Sequence, residues 1–159
     1  FDHVLTYRPR FRTISLDEIL SIHAILTKDL SIEQGIRRNP VRITGTTYMP
    51  LSNPKEIKKA LEKLVQVAAS ASHPAECAFI LLVGIAYIQP FEDGNKRTSR
   101  LISNAVLLAH DLPPLSYRSV DEMEYKKAVI AFYEQNNVYH LKRLYLEQFR
   151  FAYENYFHT

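Results

Sequence analysis

A second cysteine is missing, so no disulfide closes within one chain. Cys77 lies in an apolar run and reads as a core residue, and a cytoplasmic setting is expected. No basic-plus-apolar leader opens the sequence, which starts on Phe1 rather than Met and so reads as a piece of a longer chain. No apolar run approaches the ~20 residues that a membrane-spanning helix needs, and the longest, Ala78 to Ile88, reads as a buried helix. Excess charge of one sign is also missing. The net charge is +3, with Lys and Arg scattered, which predicts neither a nucleic-acid partner nor a membrane partner. No pair among His3, His23, His73, His110, His140 and His158 has metal-ligand spacing, so each reads as structural or solvated. The phosphate-binding pattern Gly-x-x-x-x-Gly-Lys-Ser/Thr is absent, as are internal repeats and low-complexity tracts.

What is present is ordinary for a globular chain: 47% apolar and 23% charged residues over 159 positions, enough for one core. Residues 1–14 show no clear period and are expected to form an extended lead-in to a single domain over 15–159. Ser15-Leu-Asp-Glu18 is a capping-box pattern, and Leu16, Ile19, Leu20 and Ile22 continue it at helical spacing. Between Pro40 and Pro50 the strand-prone Val41, Ile43, Thr46, Thr47 and Tyr48 flank Thr44-Gly45, which predicts a short β-hairpin over about 40–50. Asn53-Pro54 starts a helix whose stripe is Ile57, Ala60, Leu61, Leu64, Val65 and Ala68. Ser72-His-Pro74 starts the next, apolar on nearly every face to Ile88 and therefore expected at the centre. Asn95 to His110 is helical until Leu112-Pro-Pro114 breaks the pattern. Ser119-Val-Asp-Glu122 reads as another capping box, opening a helix to about Gln135, and a last helix runs from Val138 to about Tyr156. The class is all-α with one small β excursion.

One stretch carries chemistry: Pro90-Phe-Glu-Asp-Gly-Asn-Lys-Arg-Thr-Ser-Arg100. It joins the central apolar helix to the next, and a helix start offers free amides and the positive end of a dipole to an anion. Gly94 permits close backbone approach. Lys96, Arg97 and Arg100 add cations, the two arginines on one face. Glu92 and Asp93 precede them, and Mg²⁺ binds through one or two carboxylates plus phosphate oxygens. Such a set suits a nucleotide site; it equally suits a solvated charged loop that caps a helix.

Residues 89–100 resemble the signature of the Fic family, His-x-Phe-x-Asp/Glu-Gly-Asn-Gly/Lys-Arg-x-x-Arg, at every position but the first, where Gln89 stands. The resemblance implies a Fic-type helical bundle around the central helix, with the 40–50 hairpin as a flap that holds a target segment. It implies that Phe91 anchors the loop, that Asp93 holds Mg²⁺, and that Gly94, Asn95 and Lys96 line an anion hole for the α- and β-phosphates. Arg97 and Arg100 are then expected at the outer phosphates of ATP. The implied activity is transfer of AMP from ATP to a hydroxyl of a target protein. In the related Doc branch a Lys in this loop accompanies phosphate transfer instead, but that branch has Ala where this chain keeps Gly94.

Gln89 is the departure. The family's His takes the proton of the attacking hydroxyl, because imidazole titrates near neutrality. A carboxamide has no basic nitrogen. The expectation is therefore nucleotide binding with strongly impaired transfer; the alternative is a non-catalytic nucleotide-binding or protein-interaction module on the same fold. Ile43, Thr46, Thr47, Tyr48 and Met49 are the expected target-binding flap residues; Tyr48 and Met49 suit gripping a target by strand addition or packing onto the core alike. Many relatives carry an inhibitory helix with Ser/Thr-x-x-x-Glu-Gly/Asn. Glu154-Asn155 has the right ending, with Arg150 in the Ser/Thr place, and reads either as that device or as a surface Glu. Otherwise the restraint is expected in another segment or partner outside this sequence. The Tyr/Phe-rich tail, Tyr139 to Phe157, reads as core or as a homodimer surface.

Overall fold

Three helices begin at the starts written in the sequence, behind Ser15, Asn53 and His73-Pro74. The computed structural model describes residues 1–156; Phe157 and His158, the end of the aromatic tail, lie outside them. In chain order the α-helices are α1 (Asp2–Thr6), α2 (Leu16–Thr27), α3 (Pro54–Ala69), α4 (Pro74–Ile88), α5 (Asn95–Ala109), α6 (Glu122–Gln135) and α7 (Tyr139–Tyr156), with a 3-10 helix over Arg8–Arg12. Ser15 caps α2 by accepting from the Glu18 amide at 3.2 Å, and Asn53 caps α3 by accepting from Lys55 and Glu56. At α4 the cap is the His73 ring, which accepts from the Ala75 amide at 3.1 Å. At α6 the cap is Asp121, accepting from Glu124 at 2.9 Å. Ser119, expected to cap there, instead accepts a bond from Gln148 at 2.7 Å.

By contact density the chain divides into two units: Phe1–Val41 with Pro50–Asp111, and Arg42–Met49 with the described residues from Leu112 onward. In the first unit α4 is the spine, as its apolar sequence predicts. It packs against α3 and α5 and buries Ala78, Phe79, Leu81, Leu82, Ile85 and Ile88. Ile57 and Leu61 of α3 meet Ile88 in one cluster. Gly84 explains how closely α3 and α4 approach: a Cβ there would stand 2.2 Å from a Leu64 methyl. Glycine inside a helix costs about 1 kcal/mol relative to alanine, and here that cost accompanies the seating of the Leu64 side chain directly on the Gly84 backbone.

Residues 1–14, expected to be extended, are instead helical in α1 and the 3-10 helix. Val4 and Phe11 are wholly buried. Arg8 donates to the Leu108 carbonyl and pairs with Asp111, and Arg12 donates to the Ala109 carbonyl at 3.2 Å. Arg12 thus supplies a donor to the Ala109 carbonyl at the end of α5, and Arg8 adds a second donor to the Leu108 carbonyl, which already takes the Asp111 amide. That tertiary bonding overrides a sequence with no period of its own.

In the second unit α6 packs on α7, whose buried side is Leu141, Leu144, Tyr145, Gln148 and Ala152. Tyr139, Leu146, Tyr153 and Tyr156 of α7 are exposed. The 40–50 segment forms no strand, which corrects the expected hairpin flap. The turn at Thr44-Gly45 is present, with Gly45 at φ +86°. Its donors bond to a side chain rather than to a ladder. Thr46 Oγ1 and the Thr47 amide donate to the Glu134 carboxylate at 2.9 and 3.1 Å, and the Tyr48 amide donates to Thr46 Oγ1. A segment this short gains little from pairing only with itself. Among the described residues no helix is long and apolar enough to cross a membrane.

Candidate nucleotide-binding site

The site begins where α4 ends. Gln89 adopts the left-handed conformation at φ 51°, ψ 58°, with its amide bonded to the Ile85 carbonyl at 3.0 Å. A non-glycine residue there is strained by about 1–3 kcal/mol and persists only when its neighbours hold it. Several do. Its Nε2 donates to the Ala86 carbonyl at 2.7 Å, its Oε1 accepts from Asn95 at 3.1 Å, and its own carbonyl accepts from Arg37 Nε at 2.6 Å. The carboxamide is buried and bonded on both sides, but neither atom is a base at any ordinary pH.

Asn95 is the staple of the loop. Its Oδ1 accepts from the Phe91 amide at 2.9 Å and its Nδ2 donates to the Phe91 carbonyl at 2.9 Å as well as to Gln89. The sequence reading put Asn95 on the phosphates; its side chain is buried and engaged within the loop, so what it offers an anion is its backbone amide. Phe91 is fully buried, in keeping with an anchor. It stacks on His23 at 3.7 Å between ring centroids and 5° between planes.

His23, expected to be structural or solvated like the other five histidines, is structural: it props the loop. Its Nε2 bonds to the Asp93 carbonyl at 2.9 Å. Burial holds its pKa below the usual imidazole range, helped by the Arg97 charge and opposed by the bond to Asp93. The ring is therefore neutral at physiological pH and donates through Nε2. Its place beside Ile19 and Ile22 on the buried side of α2 was the only signal in the sequence, and it does not distinguish a prop from core filling.

Glu92 and Asp93 part company. The Glu92 carboxylate accepts from the Glu33 amide at 2.8 Å, while Asp93 remains 70% exposed at its side chain. Asp93 Oδ1 takes the Gly94 amide at 2.6 Å; Oδ2 stands 3.9 Å from Arg97, a loose pair between half-open side chains that a polyphosphate can displace. Gly94 has φ +83°, which requires glycine, and is the N-cap of α5 with no side-chain cap. Side chains cap α2, α3, α4 and α6, whereas α5 presents its first amides bare. Lys96, Arg97 and Arg100 are exposed around that start. Left-handed glycine, uncapped amides, three cations and one open acid are the chemistry that an anion site needs.

The flap residues lie in the other unit. Tyr48 is half-buried and stacks on Tyr133 at 5.3 Å, so its packing role is realised; Met49 is 65% exposed. Ile43 and Thr46 are half-buried and Thr47 is exposed. Glu154 bonds to Arg150 on its own helix at 3.1 Å.

The Fic/DOC family matches residues 13–107, more than half of the chain. A protein adenylyltransferase Fic from Nematostella vectensis is 30% identical over 118 residues, covering 71% of this chain and 27% of its own length. The chain thus spans about a quarter of the curated relatives it matches, 27% and 22% for the first two. Among solved structures, the Bartonella tribocorum effector BepC with bound AMPPNP superposes at TM-score 0.69 with 17% identity, covering 91% of this chain and 81% of its own. IbpAFic2 in complex with adenylylated Cdc42 gives 0.66 with 16% identity, covering 86% and 47%. Such identities establish a shared fold, and together with the family match they settle the kinship. The chain belongs to the Fic/DOC family.

Proposed function

We propose that this chain is the nucleotide-binding core of a protein adenylyltransferase whose transfer step is strongly impaired by Gln89. The relatives named adenylyltransferase, the AMPPNP bound to BepC and the adenylylated Cdc42 beside IbpAFic2 support the direction of the chemistry. The observation that carries the reading is the uncapped, cation-ringed start of α5 behind a left-handed glycine. The amides of Asn95 and Lys96 take the α- and β-phosphates of ATP, with Gly94 allowing the approach. Arg97 and Arg100 reach the outer phosphates. Asp93 is the acid for Mg²⁺. Among the described residues no three His, Cys, Asp or Glu side chains cluster as a metal cage, which fits an ion held by one carboxylate and substrate oxygens. When bound, Mg²⁺ neutralises phosphate charge.

In the transfer, a target hydroxyl oxygen bonds to the α-phosphorus, the bond to pyrophosphate breaks, and the hydroxyl proton needs an acceptor. Residue 89 stands where a base belongs, and the Gln carboxamide cannot accept that proton. A positioned base contributes roughly 10²–10⁴-fold, so about 3–5 kcal/mol of transition-state stabilisation is absent. Ile43, Thr46, Thr47, Tyr48 and Met49 form the segment that grips the target; exposed Met49 is its free contact.

Gln89→His with α-labelled ATP tests this reading, and label on protein supports it. A second reading, a binding module without catalysis, is favoured by the carboxamide being bonded at both ends as though settled there. Intact Mg·ATP binding without any label in Gln89→His selects it. Label from the γ- but not the α-phosphate would select phosphate transfer.

A further inference from the structure

Arg37 is one of the largest fully enclosed side chains of the molecule, 2% exposed. Buried guanidinium groups are rare, because removing the charge from water is expensive unless every donor is met. Here the fork is met by backbone carbonyls. Nε donates to Gln89 at 2.6 Å, Nη1 to Asn39 at 3.0 Å, and Nη2 to Leu51. The Arg37 amide adds a bond to the Pro90 carbonyl at 2.9 Å. Asn39 and Leu51 are the residues that bracket the 40–50 segment in the chain. One cation therefore fixes the residue at the base position and both feet of the proposed target-gripping segment.

We infer that Arg37 is a positioning residue for the transfer reaction, holding residue 89 in its left-handed conformation and in register with the feet of the 40–50 segment. The inference rests on the adenylyltransferase reading and deepens it. Gln89 has φ 51° and ψ 58°, and ψ sets where its carbonyl points. Without the guanidinium that carbonyl loses its donor, and the strained residue is free to leave its well. The start of α5 is braced by bonds of Asn95 to Phe91, of His23 to Asp93 and of Asp93 to Gly94, and the tie from that brace to residue 89 runs from Asn95 Nδ2 to the Gln89 side chain, which Gln89→His already removes in the parent. Base placement and phosphate binding are thus separable.

The test uses Arg37→Lys in the Gln89→His background. Lysine keeps the charge but offers its donors from a point, which cannot span three carbonyls set around a planar fork. Label incorporation from α-labelled ATP into the chain itself is followed against ATP concentration, beside calorimetric Mg·ATP binding. The expected result is a maximal rate at least about tenfold lower, with half-saturation and Kd within about twofold of the parent. An unchanged rate, or an affinity that falls in proportion to the rate, overturns the role. In the chain without Gln89→His, Arg37→Lys should speed amide exchange around 39–41, 50–53 and 88–91 together; independent exchange of these stretches also overturns it. If Arg37→Lys loses its cooperative melt, Arg37→Gln is judged by the same criteria. A Gln89→His parent that takes no label overturns the transfer reading and this role with it. A labelled parent indifferent to Arg37→Lys overturns this role alone.

Discussion

At the scale of single residues, the proposed adenylyltransferase reading makes position 89 the point where binding and chemistry separate. Gln89→His should raise AMP transfer by roughly 10²–10⁴-fold, because a group able to accept the hydroxyl proton replaces one that cannot. Mg·ATP affinity should be unchanged, since the cradle amides belong to α5. Calorimetry beside label incorporation checks both halves, and an affinity that rose with the rate would put residue 89 in the binding site itself. Asn95 predicts the opposite pattern. Its side chain closes three bonds to Phe91 and Gln89 inside the loop. Asn95→Ala leaves the Phe91 amide buried without a partner, at a cost of about 1–3 kcal/mol. Stability and Mg·ATP affinity should therefore fall together, in thermal melts and in binding isotherms. The signature showed that Asn95 matters but not how. A motif fixes residue types, whereas the choice between touching a ligand and bracing a loop depends on where the polypeptide turns.

At the scale of elements, the legible parts were those governed by neighbours in sequence. Asn53-Pro54, Ser15 with Glu18, and the apolar run to Ile88 each act within one or two turns, and each helix began or packed as expected. Long-range bonds were not legible. Nothing local says that Arg8 and Arg12 will reach the end of α5, or that Glu134 will take the donors of Thr46 and Thr47. The strand-prone composition of 41–48 was real, but pairing with a carboxylate displaced pairing with itself. Those bonds, the Thr47 amide first, hold the Glu134 carboxyl below the usual carboxylate range. Because the folded value is depressed, the tie is complete above the ordinary carboxylate pKa and is lost as pH falls through the lowered one. The protection of the Thr47 amide, taken relative to its intrinsic exchange rate at each pH, should thus hold at neutral pH and be lost only in acid. In Glu134→Gln the protection should be weak and show no such pH step. Gly84 gives a second prediction at this scale. Gly84→Ala gains helix propensity of about 1 kcal/mol, but its methyl meets Leu64 at 2.2 Å. Overpacking of this kind costs about 1–3 kcal/mol, so the variant should melt at lower temperature despite its better helix former.

At the scale of the whole molecule, a net charge of +3 is too small to draw ATP by itself, so affinity must come from local concentration of charge. Lys96, Arg97 and Arg100 supply that concentration at one helix end, beside a carboxylate that a metal ion can share with phosphate. Arg97 is paired only loosely, 3.9 Å from Asp93 with both side chains more than half exposed. It therefore loses little on turning to a phosphate. Arg97→Ala should weaken Mg·ATP binding by about tenfold or more, as expected for the loss of a charge-assisted contact of about 1.5–3 kcal/mol. The fold should not suffer, since an exposed pair of this kind contributes at most about 1 kcal/mol. Ligand linkage gives an independent readout: at 100 times Kd, Mg·ATP should stabilise the unaltered chain by about 2.7 kcal/mol, and at the same concentration Arg97→Ala should retain at most about half of that. A melting temperature that rises equally in both would mean that ATP is captured elsewhere, and the start of α5 would then be a charged helix end with no ligand.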